Sequence, residues 1–394
     1  METKNDIILK MSGIDIQFPG VHALDNVDFT LRRGEIHSIM GENGAGKSTL
    51  IKILTGVYKK DKGTVILDNG EINFASPLEA RLFGINSVYQ EVNLCDNLTV
   101  AENIYAGRQK TRFGKINWKE IKEGAEEALK RLNLTIDVSR LLGSYSVAVK
   151  QMIAIARAVD MNSKILILDE PTSSLDRPEV EQLFSMVRKL RDGGLSVIFI
   201  SHFLDQVYEF CDRVTVLRNG KLIGEYLLSE LPKLELVSRM VGKDFSKLEQ
   251  RDKTARTNES TEVFVSARNL GKNRMVEPFD LEIHKGETVG FAGLLGSGRS
   301  EAAGLFFGVN EADSGELFLK NQKQVFKKPG DAITRFIAFC PEDRKKYGII
   351  SDLSVRENII LAMQAKEGIF KSIPRKKQEE IAGRYIKMLG IMTP

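Results

Sequence analysis

Residues 36–55 read IHSIM, GENGAGKST, LIKILT: an apolar run, a glycine-laced bend, then an amphipathic segment stopped by Gly56. The bend, Gly41, Glu42, Asn43, Gly44, Ala45, Gly46, Lys47 and Ser48 with Thr49 behind them, fits GxxxxGK[ST]. The spacing has a mechanical reason. A phosphate chain needs several backbone N–H groups aimed at one point, and glycines let the backbone turn tightly and come close. The free N–H groups and positive dipole end of the helix that follows add attraction for an anion. Lys47 brings a compact charge to the β- and γ-phosphates, and Ser48 a hydroxyl ligand for Mg²⁺. By composition alone such a match arises in about one chain of this size in a hundred. A strand before it and a helix after it make the phosphate reading the stronger one.

Further along, KILILDE ends an apolar run on Asp169 and Glu170, whose side chains diverge at a strand end. One carboxylate can hold Mg²⁺ while the other polarises an attacking water, as in-line attack on a γ-phosphate requires. On its own the pair would read as a solvated strand end. SVIFI ends on Ser201-His202, and there an imidazole can sense a γ-phosphate and orient water. Gln90, in SVYQEV, can bind water without adding charge beside a triphosphate. Phe18, in QFPGVHAL, can stack on adenine, although a bare aromatic is more often core.

The apolar runs ILIL and VIFI, rich in branched residues and alternating with helical patterns, predict a mostly parallel α/β sheet buried on both faces. The stretch from about residue 99 to residue 160 is mainly helical and reads as an inserted subdomain. The 394 residues suggest two or three domains, and 42% apolar content excludes wholesale disorder. A net charge of +4 is too small to point to nucleic acid or anionic lipid. No apolar run approaches a membrane span, and METKNDIILK carries no secretory core. Cys95, Cys211 and Cys340 are odd in number and far apart, which suits a reducing compartment and no zinc site. The expectation is a soluble cytoplasmic protein.

The chain also repeats itself. RRGEIHSIMGENGAGKSTL returns as HKGETVGFAGLLGSGRSEA, with Gly34, Gly41 and Gly63 matching Gly286, Gly293 and Gly315 at an offset of 252 residues. LTVAENI returns as LSVRENI, Asn103 against Asn358 at 255, the slip of a short insertion near Lys345–Gly348. Two domains of one fold follow from this: residues 1–242, a polar linker over 243–262, and an incomplete copy over 263–394.

Phe18, GENGAGKST, Gln90, LILDEPTSSLD and His202 stand in the order and spacing of the nucleotide-binding domain of ABC transporters. The tandem layout, LDQVYEFCDRVTVLRNG and PEDRK narrow the resemblance to the ATP-binding subunit of bacterial monosaccharide importers of the ribose, galactose and galactofuranose type, nearest the galactofuranose branch. The resemblance implies an α/β P-loop NTPase fold of ABC type with a helical subdomain, in tandem copies paired head to tail. It implies an ATPase that uses ATP and Mg²⁺, with Lys47 on phosphate, Ser48, Gln90 and Asp169 on the metal, Glu170 as base and His202 as switch. Asp176 would make a cross-interface contact, and Ser146 would touch phosphate from the signature segment. Partners would be membrane-spanning permease subunits and, indirectly, a periplasmic or extracellular sugar-binding protein, at the cytoplasmic face of the inner membrane. No nucleic acid is expected.

Two departures stand out. The signature is Tyr145-Ser146-Val147-Ala148-Val149, where Ala148 puts a methyl group in a glycine's place. In the second copy Arg299 replaces the P-loop lysine and Glu342 stands where the first has Gln90. The second signature would fall near position 403, past Pro394, so one alternative is a chain that binds ATP and hydrolyses it poorly. A non-transport ABC ATPase is the other. It would be expected to carry charged helical linkers or a basic bias, which this sequence lacks.

Overall fold

The computed structural model describes residues 7–89, 93–112, 114–242, 262–293, 296–341, 347–368, 371–391 and 393. The chain divides into two compact units, Met1–Glu249 and Gln250–Pro394.

The first unit holds two sheets. β1 (Ile7–Phe18), β2 (Val21–Arg32), β4 (Lys62–Leu67) and β5 (Gly70–Glu71) form an antiparallel sheet in the order β2-β1-β4-β5. β3 (Ile36–Met40), β6 (Ile85–Val88), β9 (Ile165–Asp169), β10 (Ser196–Ile200), β11 (Arg213–Arg218) and β12 (Lys221–Leu227) form the second, in the order β12-β11-β3-β10-β9-β6. β11, β3, β10, β9 and β6 run parallel, and β12 closes the edge antiparallel. Its central strands β3, β9 and β10 are mostly apolar and buried almost from end to end because both faces are covered. Leu166, Leu168, Val197 and Phe199 enter one core, with Met152 and Phe184 of the helices. Their neighbours Ile165, Ile167, Ile198 and Ile200 enter the other, with Leu50 and Ile51 and with Phe29 of the antiparallel sheet. The alternation is the period-2 projection of strand side chains.

The helices are α1 (Lys47–Leu54), α2 (Pro77–Leu82), α3 (Val100–Ile104), α4 (Trp118–Arg131), α5 (Val147–Val159), α6 (Arg177–Asp192), α7 (Leu204–Phe210) and α8 (Lys233–Val241). The stretch expected to be helical, 99–160, contains α3, α4 and α5 and also a two-stranded hairpin, β7 (Thr111–Arg112) with β8 (Lys115–Ile116).

β3 carries the bend, and a buried polar network fixes its start. The Glu35 carboxylate accepts from the Arg32 amide at 2.7 Å and lies 3.1 Å from His37 Nδ1. His37 Nε2 lies 2.7 Å from Thr215 Oγ1 on β11. Burial works to raise the Glu35 pKa, but His37 and Arg32 outweigh it and leave the group below the usual carboxylate value.

The second unit begins with the same antiparallel design. β13 (Val263–Lys272), β14 (Val276–His284), β15 (Ser314–Leu319) and β16 (Gln322–Gln324) run in the order β14-β13-β15-β16, with α9 (Arg299–Phe307) between β14 and β15, and α10 (Pro329–Thr334), α11 (Val355–Glu367) and α12 (Arg375–Leu389) after β16. Even its side-chain clips are repeated. Asp28 accepts from the Gly13 amide and Asp280 from that of Asn269, while Asp61 accepts from Gln17 and Asp313 from Asn273. One difference is large. Residues 288–292 and 337–340, the counterparts of β3 and β6, form no strand. In the first unit these strands pair with β9, β10 and β11. The expected linker lies almost wholly outside the described residues, as does Glu342.

Candidate functional site

The bend between β3 and α1 closes one side of a cavity of about 250 Å³. Gly41, Asn43, Gly44, Ala45, Gly46, Lys47, Ser48 and Thr49 line it, opposite Asp169, Glu170, Ser201 and His202. Two glycines are sterically required. A Cβ on Gly41 would lie 2.3 Å from the Leu217 carbonyl oxygen, and one on Gly46, at φ 103°, 2.9 Å from the Ala23 carbonyl oxygen. Lys47 folds back over its own loop, its Nζ donating to the carbonyl oxygens of Gly41 at 2.6 Å and Glu42 at 3.0 Å. Burial draws its ammonium below the usual lysine value, with the Glu170 and Asp169 charges pulling the other way. Among the described residues no carboxylate pairs with it directly, so an anion entering the cavity meets an under-solvated cation.

β9 ends on Asp169, and burial first, then the Glu170 charge beside it, raises the Asp169 pKa above the usual carboxylate value. The chain then turns sharply. Glu170 has φ 49°, a left-handed conformation few non-glycine residues adopt, and its amide donates to Ile200 O at 2.9 Å. The turn brings Glu170 Oε2 to 3.1 Å from His202 Nδ1, past the end of β10. Parallel pairing of β9 with β10 puts both strand ends at one edge of the sheet, beside the bend after β3. The result is a cation, a half-buried carboxylate and a carboxylate–imidazole pair around one polar cavity.

A family model described as ABC transporter matches residues 24–173. The galactofuranose transporter ATP-binding protein YtfR of Escherichia coli O157:H7 is 51% identical over 98% of this chain and 77% of its own length. The fructose import ATP-binding protein FruK of Bifidobacterium longum is 48% identical over 99% and 77%. The chain belongs to the ABC transporter family, as an ATP-binding subunit of the sugar-import type. Among solved structures, the ADP conformation of MJ1267, an ATP-binding cassette of an ABC transporter, superposes with a TM-score of 0.53 at 28% identity, covering 60% of this chain and 99% of that one. The fold is thus the ABC-type P-loop NTPase fold, and the subunit is an ATPase that serves sugar import through membrane permease partners. No described helix is long and apolar enough to cross a membrane.

The structure of this ABC subunit gathers most, not all, of the residues singled out in the sequence. Glu42 contributes only its carbonyl oxygen, to Lys47. Phe18 does not line the cavity, and its ring stands edge-on to Tyr58 at 5.2 Å. Ser146 caps α5 and accepts from the Val149 amide at 3.4 Å. Asp176 caps α6 in a reciprocal box with Glu179. Gln90 lies outside the described residues.

One expectation is corrected, and other positions enter that the motifs do not contain. Ala148, expected to obstruct by its methyl group, is 3% exposed and faces the core, because α5 turns that position inward. The side chain that stands out at the start of α5 is Val147, 51% exposed, one residue earlier. The cavity also has an apolar wall including Ala23 and Met240. A helical periodicity puts Met240 on a partly buried face of α8, but no sequence motif ties it to the P-loop.

Proposed function

We propose that this subunit binds and hydrolyses Mg²⁺-ATP in the first unit to drive import of a monosaccharide of the galactofuranose type, delivered by a periplasmic or extracellular binding protein. The subunit works as a peripheral protein at the cytoplasmic face of the inner membrane, with permease segments received on the helical region of α3, α4 and α5. The bend from Gly41 to Thr49 cradles the phosphates, and Lys47 leaves its loop carbonyls for them. Ser48, Asp169 and Gln90 hold Mg²⁺, whose hard-cation preference suits hydroxyl, carboxylate and amide oxygens. Bound there, the metal supplies charge neutralisation on the phosphate oxygens.

Glu170 accepts the proton of the attacking water, and His202, beside its Oε2, holds that carboxylate in line. Ser146 touches phosphate from the signature segment, and Asp176 contacts a facing nucleotide-binding domain. Residues 1–242 and 263–394 are the two domains, with 243–262 between them.

The observation that carries this reading is the 3.1 Å contact of Glu170 with His202 at the mouth of a P-loop cavity. It is supported by the relatives' printed roles in galactofuranose transport and fructose import. The test is ATP turnover by the subunit with its permease. Glu170→Gln is expected to lower kcat by about 100-fold or more while ATP still binds. Turnover left intact would remove Glu170 from the reaction.

A further inference from the structure

The lining of the cavity combines two chemistries. The P-loop with Lys47, and the acidic pair, line it, and so do the apolar residues Ala23 of β2, Met40 of β3, Ile200 of β10 and Met240 of α8; Met40 and Ile200 are fully buried, whereas Met240 is only partly so. Met240 lies in the last turn of α8, whose end is anchored twice. Arg218 Nη1 of β11 donates to the Arg239 carbonyl oxygen at 3.0 Å, and Gly242, at φ 75°, closes the helix so near the Arg218 guanidinium that a Cβ there would approach it to 2.6 Å. The thioether is therefore partly buried on a fixed element that borders the P-loop cavity. The remaining phosphate ligands cannot use it, because a methyl thioether offers neither charge nor a strong hydrogen-bond donor.

We infer that Met240 is a nucleoside-contacting residue of this site, packing against the purine–ribose part of the bound nucleotide. A flat purine presents a broad face of low polarity, and an unbranched, polarizable thioether conforms to such a face better than a branched side chain does. The position also complements Phe18, whose ring is already engaged with Tyr58 and does not line the cavity. The inference rests on the proposal that the cavity takes ATP, and goes beyond it by assigning the group that distinguishes a nucleotide from a bare polyphosphate.

Equilibrium binding of ATP and of inorganic tripolyphosphate to the full chain, each with Mg²⁺, separates the two ideas. Met240→Ala is expected to weaken ATP by about tenfold, the scale of a lost apolar side-chain contact, and to leave tripolyphosphate within about twofold. Met240→Leu, which keeps the apolar volume, is expected to recover most of the ATP affinity. Equal ATP affinity in Met240→Ala overturns the assignment. So does a parallel loss of both ligands, which would make Met240 a packing residue only. If the unaltered protein binds neither ligand, or if Lys47→Ala binds both as well as it does, the nucleotide reading itself fails and this one with it.

Discussion

The two units start from nearly the same sentence of sequence and end differently. In both, Gly-Glu opens the segment before the glycine bend, and the glutamate accepts from the amide three residues earlier at 2.7 Å, Glu35 from Arg32 and Glu287 from His284. Glu35, 8% exposed, is then paired with His37, with Arg32 and with Arg213 of the neighbouring strand. Glu287 remains exposed. Past Glu35 the chain becomes β3, held between β10 and β11, whereas past Glu287 residues 288–292 form no strand and Phe291 is 44% exposed. Lys47 is correspondingly half-buried in a lined cavity, and Arg299 is exposed. A P-loop sequence makes a bend and starts a helix wherever it occurs. It makes a phosphate site only where a parallel sheet holds the strand before it and supplies the facing strand ends.

Hydrogen exchange should show this contrast most sharply. The amides of Ile36–Met40 are expected to exchange at least about a thousandfold more slowly than those of residues 288–292, because only the former sit in a buried ladder. Comparable rates would erase the distinction between the units. ATP binding comes next: Lys47→Ala is expected to weaken it by about 100-fold and Arg299→Ala by less than about twofold, read by titration of the full chain. A large effect at Arg299 would show the second bend to be a working site.

The glutamates give the third comparison. Glu35→Ala removes one partner of a buried charged network and is expected to cost about 3 kcal/mol, against under about 0.5 kcal/mol for Glu287→Ala, in chemical unfolding of each variant. Since the Glu35 pKa is lowered by folding, its contribution is present above the unfolded value and lost as pH falls through the folded one. The Glu35→Ala penalty should therefore shrink in acid.

The smallest effect concerns Asp169, whose pKa folding raises. Its ionised form is disfavoured in the native state above that raised value, and the cost is relieved as pH falls through it. Asp169→Asn should therefore raise the melting temperature at neutral pH by about 2–4 °C without nucleotide, while losing the extra stabilisation that Mg²⁺-ATP gives the unaltered protein. A lower melting temperature would show that the carboxylate is a stabilising group.

Much of the site was legible because its parts are local. The glycine positions, Lys47 and Ser48 sit within one turn of backbone, and Asp169 and His202 each end an apolar run that reads directly as a buried strand. What the reading of residues lacked was direction. Ala148 looked like the obstructing methyl group, yet the rotation of α5 buries it and puts Val147 outside. Met240 lies nearly 200 residues from the bend, on a helix whose periodicity says only that one face is covered. Such a residue has no spacing by which to be found.

By itself, the sequence determined the bend, the α/β alternation, the repeat and the kinship with sugar-import ABC subunits, since backbone torsion, capping and side-chain periodicity act over a few residues. Only the tertiary structure decided that the first bend faces an acidic pair and a histidine, that Glu170 reaches His202 through a left-handed turn, and which apolar groups line the phosphate cradle. Those outcomes depend on which strands lie side by side. Burial and charge proximity are properties of neighbours distant along the chain, and no short stretch of residues carries them.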